Sequence, residues 1–325
     1  MNPSASIDPG AWTRNALAAT LSFGLLLAAS PATSQDLTVI GTALQKRVNG
    51  ALSMMQYTVS PDVTTSSLSI SSAESDKNGM YLSQLGGGFT WSPSFRLYLE
   101  GNAAYSRYDP KFVLTEGTEQ RRVQVQWNTL VGTVGVGWDF PLAQELVLRP
   151  VANFTLGRVS SDLTIGANLI EGETGKEINF LDNGYLNSVG YGGSLMLDYE
   201  HYREAYEIDV EVRLTDIYME SFGGTSEAVE GSAWAQSLGL WTRWRAPTGL
   251  KALDRPVRYV TELAYSYYFG PNGDMLGFNH LTSVGLGIEL DTTAFDRIVT
   301  RWRLIARYRF GENVTGWSVG LGMSF

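Results

Sequence analysis

The chain has 325 residues, of which 44% are hydrophobic and 12% are aromatic, and its net charge is −9. That charge argues against nucleic-acid binding, because no basic excess is present to meet phosphates. The absence of cysteine excludes disulfides, thiol chemistry and thiolate metal sites.

The first 34 residues predict a cleaved secretory signal. Arg14 precedes a short apolar core at residues 17–27, and small residues follow at positions 32–34. This core is shorter than the roughly 20 apolar residues that a membrane-spanning helix requires, and no later stretch approaches that length. An uncleaved amino-terminal anchor is the alternative.

Residues 35–60 form a predicted amino-terminal leader. Its apolar residues recur at spacings of three and four, which indicates an amphipathic helix. They are Leu37, Ile40, Leu44, Val48, Leu52 and Met55. The apolar stripe needs a partner, so the helix could plug the lumen of a barrel, lie in the periplasm or dock against another protein. A poorly ordered leader with incidental spacing is the alternative.

Residues 61–325 predict the strands of a membrane barrel. The candidate strands alternate apolar and polar residues, and most exceed the 9 to 11 residues that cross a bilayer at a tilt of about 45°. They are 63–71, 80–91, 95–107, 121–140, 145–160, 186–201, 204–218, 232–245, 255–269, 279–291, 297–310 and 314–325. In strand 121–140 the phase slips between Trp127 and Leu130, which predicts a bulge or a strand that continues beyond the membrane.

The last strand has the clearest alternation. Trp317, Val319, Leu321, Met323 and Phe325 are apolar, while glycine or serine stands at each position between them. One apolar face on a strand that ends the chain indicates the closing strand of a barrel. We therefore predict an all-β fold: a transmembrane antiparallel up-and-down β-barrel of about twelve strands, with a short amino-terminal helix that could occupy its lumen.

The lengths of the predicted connections alternate. Periplasmic turns are predicted at 92–94, 141–144, 202–203, 246–254 and 292–296, and external loops at 72–79, 108–120, 161–185, 219–231, 270–278 and 311–313. Short turns on one side and long loops on the other are typical of outer-membrane barrels. The longest loop, at 161–185, is acidic. We expect it to be solvated, and weak binding of divalent cations is the alternative.

Charged residues on the inward phase are the candidate functional residues. A predicted charge ladder, on neighbouring strands and on strand 204–218, consists of Arg301, Arg303, Arg307, Arg309, Glu289, Asp291, Glu207, Asp209 and Glu211. In an open pore such a wall sets ion selectivity. The alternative is that these charges pair across a narrow lumen and hold the wall together.

Catalytic signals are sparse. The two histidines are His201, in a predicted turn, and His280, near the external end of a strand. Outer-membrane phospholipases and lipid A deacylases carry a His-x-Ser-Asn type of motif, from which the run at 280–283 departs. We expect no enzyme activity, no cofactor and no bound metal, and a lipid-modifying enzyme is the remaining alternative.

The alternation at 317–325 resembles the terminal signature of bacterial outer-membrane proteins, whose last residue is typically Phe. With twelve strands and a helix-like leader, the chain resembles the translocator barrel of autotransporters. Only about thirty residues separate the signal from the first strand, so it looks like the solitary, passenger-less members of that group.

This resemblance implies the outer membrane of a Gram-negative bacterium as the location. It implies outer-membrane lipids and the barrel assembly machinery as partners, and a narrow or plugged, porin-like pore as the function. A transported solute is left open. The alternative is a sealed structural barrel whose external loops bind a surface partner.

Overall fold

Almost all of the described chain is β-strand. The computed structural model describes residues 18–20, 37–38, 52, 55–61, 67–71, 79–108, 111–116, 119–124, 127–161, 185–222, 231–270, 278–292, 300–312 and 314–324. Its strands are β1 (Ala18–Thr20), β2 (Leu37–Thr38), β3 (Ser67–Ser71), β4 (Gly79–Thr90), β5 (Leu97–Tyr108), β6 (Lys111–Glu116), β7 (Glu119–Gln124), β8 (Trp127–Trp138), β9 (Phe140–Ala143), β10 (Leu146–Ser161), β11 (Tyr185–Tyr202), β12 (Glu207–Ser221), β13 (Ser232–Ala252), β14 (Arg255–Tyr268), β15 (His280–Asp291), β16 (Arg301–Gly311) and β17 (Val314–Ser324).

The long strands form one antiparallel, up-and-down sheet. Its path runs β4, β5, β8, β10, β11, β12, β13, β14, β15, β16 and β17, and β9 is an additional partner of β10. At the other edge of β4, β3 pairs with residues 79–83 and β1 pairs with residues 86–88. These two short segments fill one position, which gives twelve in all. Because β17 lies beside both β3 and β1, the two ends of the curled sheet come together. The predicted barrel architecture is confirmed.

The outward face of the sheet is apolar because alternate residues of each strand are apolar. In β15, Leu286 is 65% exposed, whereas the adjacent inward residue Gly285 is buried. Exposed aromatic side chains surround the barrel near both of its ends. They are Trp138, Phe140, Tyr259 and Trp302 at one end, and Tyr191, Trp234, Tyr265 and Trp317 at the other. An apolar band between two aromatic girdles matches a bilayer. The chain is an outer-membrane type of β-barrel that contacts membrane lipids.

The closing strand β17 follows the predicted facing. Trp317 and Leu321 are exposed on the outer side, and Val319 and Met323 share that side at intermediate exposure. Ser318, Gly320 and Gly322 between them are buried on the inner side. The small residues leave room for inner side chains, because a Cβ at Gly320 would collide with Nη1 of Arg307.

Three predicted connections consist largely of strand, and one of them is the turn at 141–144, where β9 occupies residues 140–143 and pairs with β10. The expected external loop at 108–120 is occupied largely by β6 and β7, which pair as a hairpin and form a separate three-stranded sheet with β2. The expected turn at 246–254 is also wrong, because β13 continues to Ala252. A tight turn then follows at Leu253 and Asp254, whose φ angles are 52° and 60°. Pro247 shifts the register of β13 against β14 without ending the strand.

The bulge predicted between Trp127 and Leu130 is wrong. The register of β8 with β5 and with β10 is unbroken over Trp127–Trp138. Trp127 faces the interior, where its ring meets Tyr108 at a centroid distance of 6.2 Å. A large apolar residue on the inner face therefore produced the apparent slip in the sequence pattern.

The predicted leader helix does not begin at Leu37, because Leu37–Thr38 is strand β2 and pairs in parallel with β6. Leu52 is helical and Met55–Tyr57 forms a 3-10 turn, while residues 39–51 lie outside the described residues. Within the ranges that the structure covers, no helix has the length and apolar character to cross a membrane.

Three further predictions fall wholly or largely outside the described residues. Of the predicted signal at 1–34, only Ala18–Thr20 is described, so cleavage stays a prediction. The acidic loop at 162–184 and the terminal Phe325 are not described at all.

Candidate functional site

The inner face of the barrel carries all the residues of the predicted charge ladder. Arg303, Arg307, Arg309, Glu289, Glu207 and Asp209 are buried there, and Arg301, Asp291 and Glu211 are partly exposed on the same face. The alternation of each strand places them inward, because their neighbours in sequence face lipid. Their role in selectivity stays a prediction.

The arginines of β16 are held by carboxylates from the neighbouring strands. Arg303 Nε lies 2.6 Å from Glu289 Oε2, and Arg307 Nη2 lies 2.8 Å from Glu262 Oε2. All four side chains are at most 2% exposed. A buried charge is costly unless it is paired, so these contacts are structural requirements of the wall.

Three more inward arginines, Arg243, Arg245 and Arg258, were missed by the sequence prediction. Arg245 Nη2 lies 2.9 Å from Asp209 and 3.1 Å from Glu207, and Arg258 Nη1 lies 2.7 Å from Glu207. The signal for Arg243 and Arg245 was present, because they flank Trp244 in the same way that Arg301 and Arg303 flank Trp302.

A second network of ion pairs and hydrogen bonds lies in the part of the lumen next to β5, β10 and β12. Glu100 of β5 accepts hydrogen bonds from Arg213 and from Asn153 Nδ2, the latter at 2.7 Å. Arg149 pairs with Asp139 and with Asp198. The glycines of β4 make room for this network, since a Cβ at Gly88 would collide with the ring of Tyr98, over which Arg149 lies.

Residues 55–61, here called the luminal segment, run inside the barrel. Positions 55–60 are all buried. The Thr58 carbonyl oxygen accepts a hydrogen bond from Asn102 Nδ2 of β5 at 2.5 Å, and the Ser60 carbonyl accepts one from Gln84 Nε2 of β4. Two inward amides of the wall therefore hold the backbone of this segment.

Side chains of the luminal segment also contact the wall. The ring of Tyr57 packs edge-on against Tyr268 at 4.4 Å between centroids and lies 5.4 Å from Phe278. Ser188 Oγ lies 3.1 Å from the Met55 sulfur. Gly157 makes room for that sulfur, because a Cβ there would lie 2.7 Å from it. The segment is thus held from several sides of the lumen.

A cavity of about 690 Å³ lies between the luminal segment and the end of the barrel where residues 91–96 and 203–206 connect strands, here called the turn end. Ser60 and Pro61 line its inner end, and Ser92, Pro141 and Arg203 line it near the turns. Its charged lining comprises Asp139, Glu145, Asp198, Glu200, Asp209, Glu211, Arg96, Arg149, Arg203, Arg213 and Arg243.

The two histidines lie apart from each other. His201 Nδ1 lies 2.8 Å from Glu145 Oε2 at the turn end, and Arg203 Nη2 lies 2.6 Å from Glu145 Oε1. Hydrogen bonds from His201 and then Arg203 hold the pKa of Glu145 below its usual value. His280 contacts Asn279 and stacks on Tyr265.

No group of three or more His, Asp or Glu side chains in the described part of the chain could hold a metal ion. The expected absence of a metal, a cofactor and an enzymatic activity stays a prediction.

No family model and no curated protein matches the chain. Among solved structures, it is similar to the β domain of the Bordetella autotransporter BrkA, with 14% identity over 77% of this chain and 93% of that chain and a TM-score of 0.43. The translocator domain of the autotransporter NalP from Neisseria meningitidis shares 12% identity, with coverages of 76% and 82% and a TM-score of 0.41. The Pseudomonas putida toluene transporter TodX shares 12% identity, with coverages of 95% and 87% and a TM-score of 0.34. Likenesses this distant leave the function open.

Proposed function

We propose that this barrel is a narrow outer-membrane pore that its own luminal segment keeps closed, resembling an autotransporter translocator barrel without a passenger. The observation that carries the proposal is the position of residues 55–60, buried inside the barrel and held by Asn102 and Gln84. A net hydrogen bond contributes only about 0.5–1.5 kcal/mol. Such a segment can be displaced without unfolding the wall, whose strands are held by continuous ladders.

The test is single-channel conductance in a planar bilayer. Refolded residues 35–325 should show a low or intermittent conductance, whereas residues 62–325, which lack the luminal segment, should conduct steadily. Heat-modifiable gel mobility checks that both proteins are folded. If neither folded protein conducts ions, the proposal of a pore is refuted.

A side-chain version of the test keeps the chain intact. Asn102→Ala removes the amide that holds the Thr58 carbonyl and should raise the open fraction. The matched control is Asn128→Ala, since Asn128 contacts Tyr105 outside the lumen. Equal behaviour of the two variants would argue against closure by the luminal segment.

The second candidate is a sealed structural barrel whose loops bind a surface partner. It is favoured by the fully buried ion pairs of Arg303 and Arg307, which fill the lumen beside β16. The two candidates differ in conductance: a sealed barrel stays silent even without residues 35–61.

We also propose that the chain has no enzymatic activity, because His201 and His280 contact only carboxylate, amide and aromatic partners in the described structure. Refolded protein incubated with phospholipid or lipid A should release no fatty acid. A release that His280→Ala abolishes would overturn this proposal.

The outward apolar residues of β17 support recognition by the barrel assembly machinery, which we propose as a partner. Deletion of Phe325 should lower the yield of folded protein in the outer membrane. A normal yield would remove the support for an assembly signal at the carboxy terminus.

A further inference from the structure

Two pairs of carboxylates oppose each other in the wall of the turn-end cavity. Asp198 of β11 is the register partner of Glu211 of β12, and Glu200 is the register partner of Asp209. All four residues line the cavity. Like charges directly opposite each other on neighbouring strands are destabilising. Positive charge close to these pairs would relieve that repulsion.

The arginines around the cavity supply only part of that charge. Their ion pairs join Arg149 to Asp139 and Asp198, Arg203 to Glu145, Arg213 to Glu100, and Arg243 to Asp209, while Arg96 lies next to the turn at 91–95. Glu200 and Glu211 form no ion pair with any residue in the described ranges. Both open onto the cavity and are suited to bind an ammonium group.

Donors without partners lie beside these carboxylates on β13. Trp241 is the register partner of Glu211, and Arg243 is the register partner of Asp209. Trp241 Nε1 and Arg243 Nη1 have no hydrogen-bond partner among the described residues, and the Arg243 side chain is only 4% exposed. Leaving buried donors unsatisfied is costly, so this edge of the cavity is suited to accept an anionic group.

We propose that the cavity binds a small zwitterion, with its ammonium group at Glu200 and Glu211 and its carboxylate at Arg243 and Trp241. Diagonal neighbours such as Glu211 and Arg243 are about 7–8 Å apart on paired strands, a separation that a short zwitterion can bridge. The volume of about 690 Å³ lies within the range of roughly 300–1,000 Å³ that is usual for ligand sites. As the substrate class of the pore, the assignment rests on the proposed function, whereas binding itself does not require conduction.

The experiment is isothermal titration of refolded residues 35–325 in detergent with glycylglycine. Ethylammonium chloride and sodium acetate are the single-charge probes, each of which leaves half of the site unpaired. We expect saturable binding of glycylglycine that is at least about tenfold tighter than that of either probe. No saturable binding, or equal binding of all three, would overturn the inference.

Glu211→Gln tests the ammonium side of the site. Because Glu211 has no ion-pair partner among the described residues, its neutralisation should leave the barrel folded, and it should weaken glycylglycine binding about tenfold or more. The matched control, Glu204→Gln, alters an exposed residue of the turn at 203–206 that does not line the cavity. Trp241→Phe removes the indole donor, keeps an aromatic ring beside Arg243 and should also weaken binding. Unchanged binding by Glu211→Gln would contradict the proposal.

The two proposals fail separately. Binding by a protein that never conducts would refute the pore and leave the zwitterion site standing. A conducting protein that binds no glycylglycine would refute the site and leave the pore standing.

Discussion

The guanidinium of Arg213 on β12 donates hydrogen bonds across the lumen to both carboxylate oxygens of Glu100 on β5, at 2.6 and 2.8 Å. Strands β8, β10 and β11 separate these two strands along the sheet. The contact therefore crosses the interior instead of following the wall. This half of the barrel cannot widen without breaking a buried ion pair.

The Arg213–Glu100 ion pair should show strong coupling in a double-mutant cycle. Glu100→Leu alone leaves the Arg213 guanidinium buried without its partner and should lower the free energy of unfolding by about 3–5 kcal/mol. The double variant with Arg213→Met removes both charges and should recover most of that loss. Urea titration followed by tryptophan fluorescence measures each value. If the losses of unfolding free energy in Glu100→Leu and Arg213→Met simply add in the double variant, the two side chains do not interact as described.

A large side chain at position 157 should displace the luminal segment. In Gly157→Leu the new side chain would enter the space of the Met55 sulfur and of Ser188 Oγ, which lie 2.7 and 2.6 Å from an ideal Cβ. We expect a higher open fraction in bilayer recordings. The matched control is Gly132→Leu, because a Cβ at Gly132 meets no atom within 4 Å. The same conductance from both variants would show that Met55 does not help to close the pore.

The lipid-facing position of Leu286 can be tested by a charge. Leu286→Arg places a guanidinium on the outer face, at a residue that is 65% exposed, and should cost about 2–4 kcal/mol of unfolding free energy near the bilayer midplane. Leu253→Arg, at a tight turn and 85% exposed, should stay within about 0.5 kcal/mol of the unaltered chain. Both are measured by urea unfolding in lipid vesicles, and similar costs would refute the facing of β15.

Glu145 should make stability depend on pH. Hydrogen bonds from His201, and next from Arg203, lower its pKa in the folded protein. A carboxylate with a lowered folded pKa stabilises the fold above its unfolded pKa of about 4.3, and this contribution is lost as the pH falls through the folded value. Between about pH 5 and about pH 3, the unaltered chain should therefore lose more stability than Glu145→Gln.

Urea unfolding midpoints across that pH range measure the effect of Glu145. Glu204→Gln provides the control, since Glu204 is exposed on the turn at 203–206 and should leave the pH dependence unchanged. Parallel curves for Glu145→Gln and the unaltered chain would mean that these hydrogen bonds contribute nothing.

Much of the wall could be predicted because the facing of a strand residue is local. In β16, Trp302 faces lipid and Arg303 faces the lumen simply because they are adjacent. Trp127 misled the prediction, since a large apolar residue on the inner face looks like a phase slip. The strand beyond Pro247 was missed because proline and glycine at 247–249 were interpreted as a loop. In the structure, β13 continues through these residues with a shift of its register against β14.

The amino-acid sequence by itself determined the class of this protein, its order of strands and the side of the wall on which each charge lies, because all three follow from a period of two along the chain. Only the tertiary structure decided which charges meet. Arg213 and Glu100 are 113 positions apart, and their contact depends on how the sheet curls. The same curvature brings the luminal segment against Asn102 and leaves the cavity beneath it, so the proposed closure and the proposed binding both depend on the barrel as a whole.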